Sequence, residues 1–403
     1  MKDMGNYRFV MSNLVQAMGV LMAFVLIFPT ALENVALFLL LLVYGLSGGY
    51  GEKWRRIRAN PVATASLLLF GLFVAGISYS SASLETALGV LNKYRELLLL
   101  PLVISIFQDE PWRRRAYYAF LAAIPVALVI SFSMRLGWVP PWPVEKDIAS
   151  WAPFKSRIAY GFFLAFAAYL MIHHLLRSQS RWQRLSWGGA ACLTIYNLTF
   201  MVSGRTGHIV LAALILLLSY QYWASFRKRW LMFSVAAVIA ATAVLSTSPA
   251  ILSRGNDIDK AMSAPEKSSI GQRVIMWQTA LRVISDHPII GAGTGSFAGE
   301  YAKKAYDHPT FLAGNPHNEY LLIAGQLGVP GLFGFLLLLY RHWKRSAALT
   351  MPYGFAAQGL VLAMAVGCMF NSFLYDHGEG HFYAIFAGIL FSGPATQQDE
   401  HAA

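Results

Sequence analysis

Charged residues and cysteines are scarce in this chain. Of its 403 residues only 13% are charged and two are cysteines, whereas 56% are hydrophobic. An ordinary soluble domain carries about 25% charged residues, so the composition argues against one. Cys192 and Cys368 both lie in apolar stretches, which indicates neither a disulfide framework nor a zinc site, and we expect two buried free thiols.

Long apolar stretches take the place of the missing charge. About 20 mostly apolar residues cross a membrane as a helix, and such stretches recur from Met11 to Ser392. We therefore predict an all-α integral membrane protein with about twelve transmembrane helices. Two spans are irregular, because 95–108 is short and because Pro330 can split 318–340. The predicted spans are 11–29, 33–48, 62–80, 95–108, 117–136, 158–176, 187–202, 207–224, 231–247, 318–340, 354–374 and 381–393.

The net charge of +12 comes mostly from alternate loops. Positive residues in short loops stay on the cytoplasmic side, so this pattern predicts cytoplasmic termini. Topology thus explains the basic charge, and we expect no nucleic-acid partner. The basic residues of these loops are Lys2, Arg8, Lys53, Arg55, Arg56, Arg58, Arg113 to Arg115, Arg177, Arg181, Arg184, Arg227 to Arg229, Arg341, Lys344 and Arg345.

The spans divide the chain into four regions. Residues 1–247 hold helices one to nine, 248–317 form a large periplasmic loop, 318–393 hold helices ten to twelve, and 394–403 form a cytoplasmic tail. The loop contains "SSIGQRVIMWQTALRVISDHP", in which Ser268 or Ser269 can cap a helix and Pro288 ends it. We expect an amphipathic helix lying on the membrane or over a cavity. Its apolar positions at helical spacing are Val274, Trp277, Ala280, Leu281 and Ile284.

Three arginines stand on the predicted periplasmic side. Arg157 begins span six, Arg205 lies in "SGRTGH" between spans seven and eight, and Arg273 lies in the loop helix. The turn around Arg205 is short, which fixes a guanidinium whose fork of donors suits a phosphate or diphosphate. An arginine at a span end also commonly reaches lipid headgroups, and both interpretations remain open.

A histidine stands at the mouth of span ten, in "NPHNEYLLIAGQLGVPG" at 315–331. His317 can act as a general base near neutral pH without a metal, or it can be a hydrogen-bonded packing residue. Asn315 is a candidate helix cap. Gly325, Gly328 and Gly331 follow at three-residue intervals, a spacing that lets another helix approach closely.

Three other motifs compete with this histidine. Asp257 and Asp259 in "NDIDK" have the spacing of a metal–diphosphate site, but nucleotide sugars are cytoplasmic and this loop is predicted outside. The turn "DHGEGH" at 376–381 is the best metal-like set, although a polar cavity rim is the simpler interpretation. "GAGTGS" at 291–296 follows a proline and no apolar strand, so we reject a dinucleotide site.

Two stretches together carry a family resemblance. "DHPIIGAGTGSFAGEY" followed by "PHNEYLLIAGQLGVPGLFGF" resembles the signature of the superfamily of O-antigen ligases, O-antigen polymerases and protein O-oligosaccharyltransferases. That signature is His-Asn, nine residues and Gly-x-x-Gly. His317-Asn318, residues 319–327 and Gly328 to Gly331 fit it without a gap.

The resemblance implies a GT-C-like glycosyltransferase of the bacterial inner membrane. Such an enzyme transfers O-antigen from undecaprenyl diphosphate to lipid A–core at the periplasmic face, by an inverting reaction without metal or cofactor. His317 matches the proposed base, with Asn318, Gly328 and Gly331 as supporting positions. Arg205 and Arg273 match the arginines thought to hold the diphosphate, and Arg157 matches less closely.

Alternatives remain within and outside this superfamily. An O-antigen polymerase uses a similar donor, and the length and short C-terminus favour a ligase over a protein O-oligosaccharyltransferase. His377 or His381 of the acidic turn can supply a different base. A transporter would show inverted repeats and charges near the membrane midplane, whereas the charges here cluster on one face.

Overall fold

The computed structural model describes residues 2–107, 109–141, 150–223, 265–308 and 311–392. These residues form fifteen α-helices and a short 3-10 helix at Pro265–Lys267, and no strand occurs among them. The helices are α1 (Lys2–Val25), α2 (Thr30–Leu46), α3 (Tyr50–Ala59), α4 (Pro61–Ile77), α5 (Leu84–Lys93), α6 (Glu96–Ile104), α7 (Glu110–Arg135), α8 (Arg157–Arg177), α9 (Arg181–Phe200), α10 (Arg205–Gln221), α11 (Ser269–Asp286), α12 (Phe297–Lys304), α13 (Glu319–Ser346), α14 (Tyr353–Gly367) and α15 (His377–Phe391).

The helical composition is that of a helical membrane protein. In the described part of the chain, four helices are long and apolar enough to cross a membrane, in the segments Tyr7–Val25, Glu110–Arg135, Arg157–Arg177 and Glu319–Ser346. Helices α4, α10 and α14 are apolar but shorter. Every predicted span except 231–247 overlaps one of the helices. That ninth span, the loop residues 248–264 and the tail 394–403 lie outside the described residues.

Three helices, α3, α5 and α12, occur in stretches for which we predicted no helix. Helix α3 follows Gly48 and Gly49, whose φ angles of 66° and 68° are left-handed, a conformation that glycine adopts without steric cost. These glycines let the chain turn by 114° between α2 and α3. Ser83 is the N-cap of helix α5, and its hydroxyl accepts a hydrogen bond from the Thr86 amide.

Helices α8 and α15 form the centre of the bundle and are buried along most of their lengths. Aromatic rings interlock between them, with Phe163 and Phe382 at a centroid distance of 4.8 Å. The bundle has two distinct ends. One end, which we call the site end because the candidate active site described below lies there, carries the beginnings of α8, α10, α13 and α15. At the opposite end, Asn60 before α4 donates to the carbonyl of Phe391, the last residue of α15.

Helix α13 is kinked, at Gly328 and not at the proline that we expected to split it. Gly328 has φ 59° and ψ −149°, a region essentially restricted to glycine. The next amide, of Val329, donates outside the helix to the carbonyls of Pro288 and Ile289. Pro330 then begins the second half of the helix, where its missing N–H costs little.

One finer expectation was wrong, and the structure adds a detail to another. Cys368 is buried but Cys192 is exposed on the outer side of α9, because its apolar surroundings face away from the bundle. In α11 the face packed inside contains Met276, Ala280 and Val283, whereas Val274 and Leu281 are 46% and 56% exposed. The helix is apolar on two sides, and the sequence alone did not indicate which side the rest of the protein would cover.

Candidate active site

The first turns of α8 and α10 lie side by side at the site end. Their packing depends on glycines, since a Cβ atom on Gly204 would lie 2.7 Å from the carbonyl oxygen of Arg157. One on Gly207 would lie 2.8 Å from the backbone of Gly161. Arg157 and Arg205 are the first residues of these two helices. Two guanidinium groups and two positive helix ends therefore meet here, an arrangement that favours anions.

The loop helix α11 joins this pair through its own N-terminus. Arg205 donates a 2.9 Å hydrogen bond to the hydroxyl of Ser269, the first residue of α11. Ser268 caps α11 by accepting from the Gly271 amide. A third helix start, with Arg273 in its first turns, is thus added to those of α8 and α10.

Helix α11 also reaches the turn that carries His317. Trp277 donates from Nε1 to the carbonyl of Pro316 at 3.1 Å. Arg273 lies four residues before Trp277, so both side chains project from the same face of α11. The face of α11 that bears Arg273 is therefore the one turned towards the His317 turn.

His317 has an unusual backbone conformation for a residue other than glycine. Its φ is 49°, in the left-handed region, and its amide donates a 2.8 Å hydrogen bond to Oδ1 of Asn315. Asn315 therefore holds the turn, while Asn318 caps α13 by accepting from the Leu321 amide. We had expected Asn315 as the cap. Strained backbone of this kind is commonly found at functional sites.

The arginines and His317 influence one another electrostatically. The pKa of the Arg273 guanidinium is lowered, first by burial and then by the positive charges of Arg205 and Arg157. His317 is exposed by surface area, yet the surrounding protein displaces enough water to lower the pKa of its imidazole, and the charge of Arg273 lowers that pKa further. His317 is therefore neutral at neutral pH, which is the form that accepts a proton.

A polar loop that we did not predict holds the start of α13 in place. This loop, residues 368–376, lies between α14 and α15. The Glu319 amide donates to the Cys368 carbonyl, and the Asn318 side chain donates to the Met369 carbonyl. The Ser372 hydroxyl donates a hydrogen bond to Asn315 Oδ1, and the Asn371 side-chain amide donates one to the Thr206 hydroxyl of α10, each at 2.7 Å. The loop thereby links the His317 turn to the Arg205 turn.

Glu319, the residue after Asn318, is completely buried. Tyr94 donates to its Oε1 at 2.8 Å, and the amides of Leu374 and Tyr375 donate to its Oε2 at 2.9 and 3.3 Å. The sequence pattern predicts no role in the site for Glu319 or Tyr94. The only sequence signal was an acidic residue inside the first turn of an apolar span.

The two stretches that carry the family resemblance contact each other backbone to backbone. The amides of Ala292 and Gly293 donate to the carbonyls of Gly325 and Gln326 at 3.1 and 2.8 Å. A Cβ atom on Gly328 would lie 2.4 Å from the carbonyl oxygen of Ile289. The glycines of "GAGTGS" and of Gly-x-x-Gly therefore allow a close contact between the two stretches.

The metal-like turn is built differently from our expectation. Among the described residues, the acidic and histidine side chains that are close enough to share an ion are Glu33, His377 and His381. The Lys155 ammonium already bonds Glu33 Oε2, and His381 Nδ1 lies 2.7 Å from Glu33 Oε1. His381 is completely buried, so it is not accessible to a substrate as a base. Asp257 and Asp259 lie outside the described residues.

One relative of this chain is an uncharacterized protein of Haemophilus influenzae. The two proteins are 24% identical over 265 residues, which cover 62% of this chain and 63% of the relative. The alignment therefore spans somewhat less than two thirds of the relative.

A family match covers the part of the chain that builds the site. Residues 198–336 match the O-Antigen ligase family. The matched segment includes Arg205, Arg273, His317 and the Gly328 kink, whereas Arg157 precedes it. This part of the chain is therefore similar to the O-antigen ligase family.

Proposed function

We propose that this protein is an O-antigen ligase. It would transfer O-antigen polysaccharide from undecaprenyl diphosphate to the lipid A–core oligosaccharide. The observation that carries the proposal is the convergence of three arginines and one neutral histidine at one end of the helix bundle. The proposed protein has twelve transmembrane helices in a GT-C-like arrangement, with both termini in the cytoplasm and the site at the periplasmic face of the inner membrane.

The arginines would bind the diphosphate of the donor. A sugar diphosphate is already a good leaving group, so it needs charge neutralisation as its bond to the sugar breaks. The guanidinium groups of Arg157, Arg205 and Arg273 supply three positive charges, and the starts of α8, α10 and α11 add partial positive charge. The pKa of Arg273 is lowered first by burial and then by the charges of Arg205 and Arg157, and a bound diphosphate would offset both effects.

His317 would act as the base. Its imidazole takes the proton of the acceptor hydroxyl, whose oxygen forms a bond to the anomeric carbon as the bond to the diphosphate oxygen breaks. A single displacement of this kind inverts the configuration at that carbon. Arg273 has a second part in this step, because its charge adds to the effect of burial in lowering the pKa of His317, which favours the neutral imidazole that accepts the proton.

We further propose that the reaction needs no metal ion. Three guanidinium groups provide the charge that a divalent cation would otherwise supply. In the Glu33 cluster, the Lys155 ammonium already neutralises the carboxylate. Chelation with EDTA should therefore leave transfer unchanged.

An O-antigen polymerase is the second candidate, because it would use the same donor and leaving group. Deletion of the gene distinguishes the two. Loss of a ligase leaves polymeric glycan on the lipid carrier and none on lipid A–core, whereas loss of a polymerase leaves single repeat units joined to lipid A–core. A third outcome, protein glycosylation lost with lipopolysaccharide intact, would indicate a protein O-oligosaccharyltransferase.

A further inference from the structure

A cavity of about 270 Å³ lies at the opposite end of the bundle, far from the candidate active site. The first turns of α1, the end of α2, the start of α3 and the residues after α6 enclose it. Ligand pockets typically begin at about 300 Å³, so its size suits a polar headgroup better than a whole lipid. Its polar lining includes Arg8, Ser12, Ser47 and Lys53.

The two cations of this cavity have no anionic partner among the described residues. The Lys53 ammonium contacts only neutral groups, namely the Tyr44 carbonyl at 3.2 Å, the Ser47 hydroxyl at 2.5 Å and the Tyr44 ring at 3.7 Å from its centroid. Glu52 is the one acidic residue in the lining, and it is ion-paired with Arg56 of α3. The cavity therefore carries two positive charges in excess, which favours an anionic ligand.

The neighbouring helix α3 has the character of a helix that lies in a membrane interface. It is turned by 114° from α2, and it carries Tyr50 and Trp54, which are 53% and 49% exposed. Arg55 and Arg58 are exposed on the same short helix. Exposed aromatic and basic residues together are typical of segments at the level of lipid headgroups.

The cavity is open towards an apolar surface. Phe9, which follows Arg8 in α1, lines the cavity and is 68% exposed. A ligand with an anionic head and an apolar chain would therefore contact cations inside and an aromatic ring at the rim. Inorganic phosphate would gain only the first of these contacts.

We propose that this cavity binds the phosphate of an anionic phospholipid headgroup, with phosphatidylglycerol as the probe. Arg8 and Lys53 pair with the phosphate oxygens, the hydroxyl of Ser12 donates to the headgroup, and Phe9 packs against the acyl chains. The site is independent of the proposed ligase reaction, and the proposed topology puts it in the cytoplasmic leaflet.

Native mass spectrometry of the purified full-length chain tests the proposal. The chain is titrated with phosphatidylglycerol and, separately, with phosphatidylcholine, before and after the double substitution Arg8→Gln and Lys53→Gln. Each basic residue at a membrane surface contributes roughly fivefold to anionic lipid binding, so the double variant should lose about 25-fold in affinity for phosphatidylglycerol. The matched control is the pair Arg181→Gln and Arg341→Gln, which removes two exposed charges from the same end and should leave binding unchanged.

The single substitution Arg8→Gln is a second test that does not depend on whether the double variant folds, because Arg8 is an exposed residue. It should weaken binding about fivefold. Equal binding of both lipids by the native chain would overturn the proposal. So would equal losses in the double variant and in its control, which would indicate only general attraction to a basic surface. Displacement of phosphatidylglycerol by millimolar inorganic phosphate would show a free-anion site instead.

Discussion

The hydroxyl of Tyr94 donates a 2.8 Å hydrogen bond to the buried carboxylate of Glu319. Tyr94 lies at the end of α5 and Glu319 begins α13, so this contact joins segments that are 225 residues apart. The same carboxylate binds two amides of the loop 368–376. Glu319 therefore fixes the first turn of α13 from two directions, and with it the His317 turn that immediately precedes it.

Replacement of Glu319 should weaken the fold and the site together. Glu319→Leu leaves the Tyr94 hydroxyl and two buried amides without an acceptor, at a cost of about 1–3 kcal/mol for each unsatisfied group. We expect an apparent melting temperature several degrees lower in detergent, and lower transfer per folded molecule. Glu85→Leu on the exposed side of α5 is the control and should change neither quantity. An unchanged melting temperature in Glu319→Leu would show that this carboxylate does not hold the turn.

The kink of α13 gives a second prediction. Gly328→Ala forces a Cβ atom to within 2.4 Å of the Ile289 carbonyl oxygen, at a φ of 59° that alanine rarely adopts. The expected cost is roughly 1–3 kcal/mol, measured as a lower melting temperature. Gly89→Ala in α5 meets no atom within 4 Å and should be neutral or slightly stabilising. Equal melting temperatures for the two variants would contradict the assigned role of Gly328.

Periodicity and charge predicted the helices better than they predicted the site. Apolar stretches long enough to cross a membrane correctly indicated α1, α7, α8 and α13, because burial in lipid or protein requires such composition. They did not predict α3, whose turn depends on two left-handed glycines and not on hydropathy.

For the site, the sequence indicated His317 and the three arginines but not the residues that hold them. Glu319, Tyr94 and the loop 368–376 act through contacts between distant segments, which spacing along the chain does not encode. The same limit explains why "DHGEGH" suggested metal ligands within one turn, whereas the structure pairs His381 with Glu33, which is 348 residues away.

The third prediction concerns the planar pair of N–H donors on the Arg205 guanidinium. Arg205→Lys keeps the positive charge but loses the planar pair of donors that suits a diphosphate. A hydrogen bond to a charged group contributes about 1.5–3 kcal/mol, so transfer should fall at least tenfold. Arg282→Lys is the control, because Arg282 lies on α11 but pairs with Asp307, and its transfer rate should match that of the native chain. Native activity in Arg205→Lys would mean that the arginine provides charge alone or takes no part.

A fourth prediction concerns pH. Burial and then the positive charge of Arg273 lower the pKa of His317, so Arg273→Gln should raise that pKa part of the way towards its ordinary value. The base works only when neutral, and the acidic limb of the pH–rate profile should therefore move to higher pH. Residual activity of the variant is followed from pH 5 to 8, where histidine usually titrates. Arg282→Gln is the control, and its limb should stay in place. A shift of the Arg273→Gln limb to lower pH would contradict the electrostatic argument.

The central claim is that His317 is the base of a metal-independent transfer. The most direct measurement is transfer of a carrier-linked glycan to lipid A–core by the purified protein in EDTA, comparing the native chain with His317→Ala. A general base contributes about 10²- to 10⁴-fold, and the exposed side chain should be removable without unfolding. The account predicts full native activity in EDTA and a loss of that size in His317→Ala at an unchanged melting temperature. Loss of native transfer in EDTA, or native activity in folded His317→Ala, would contradict it.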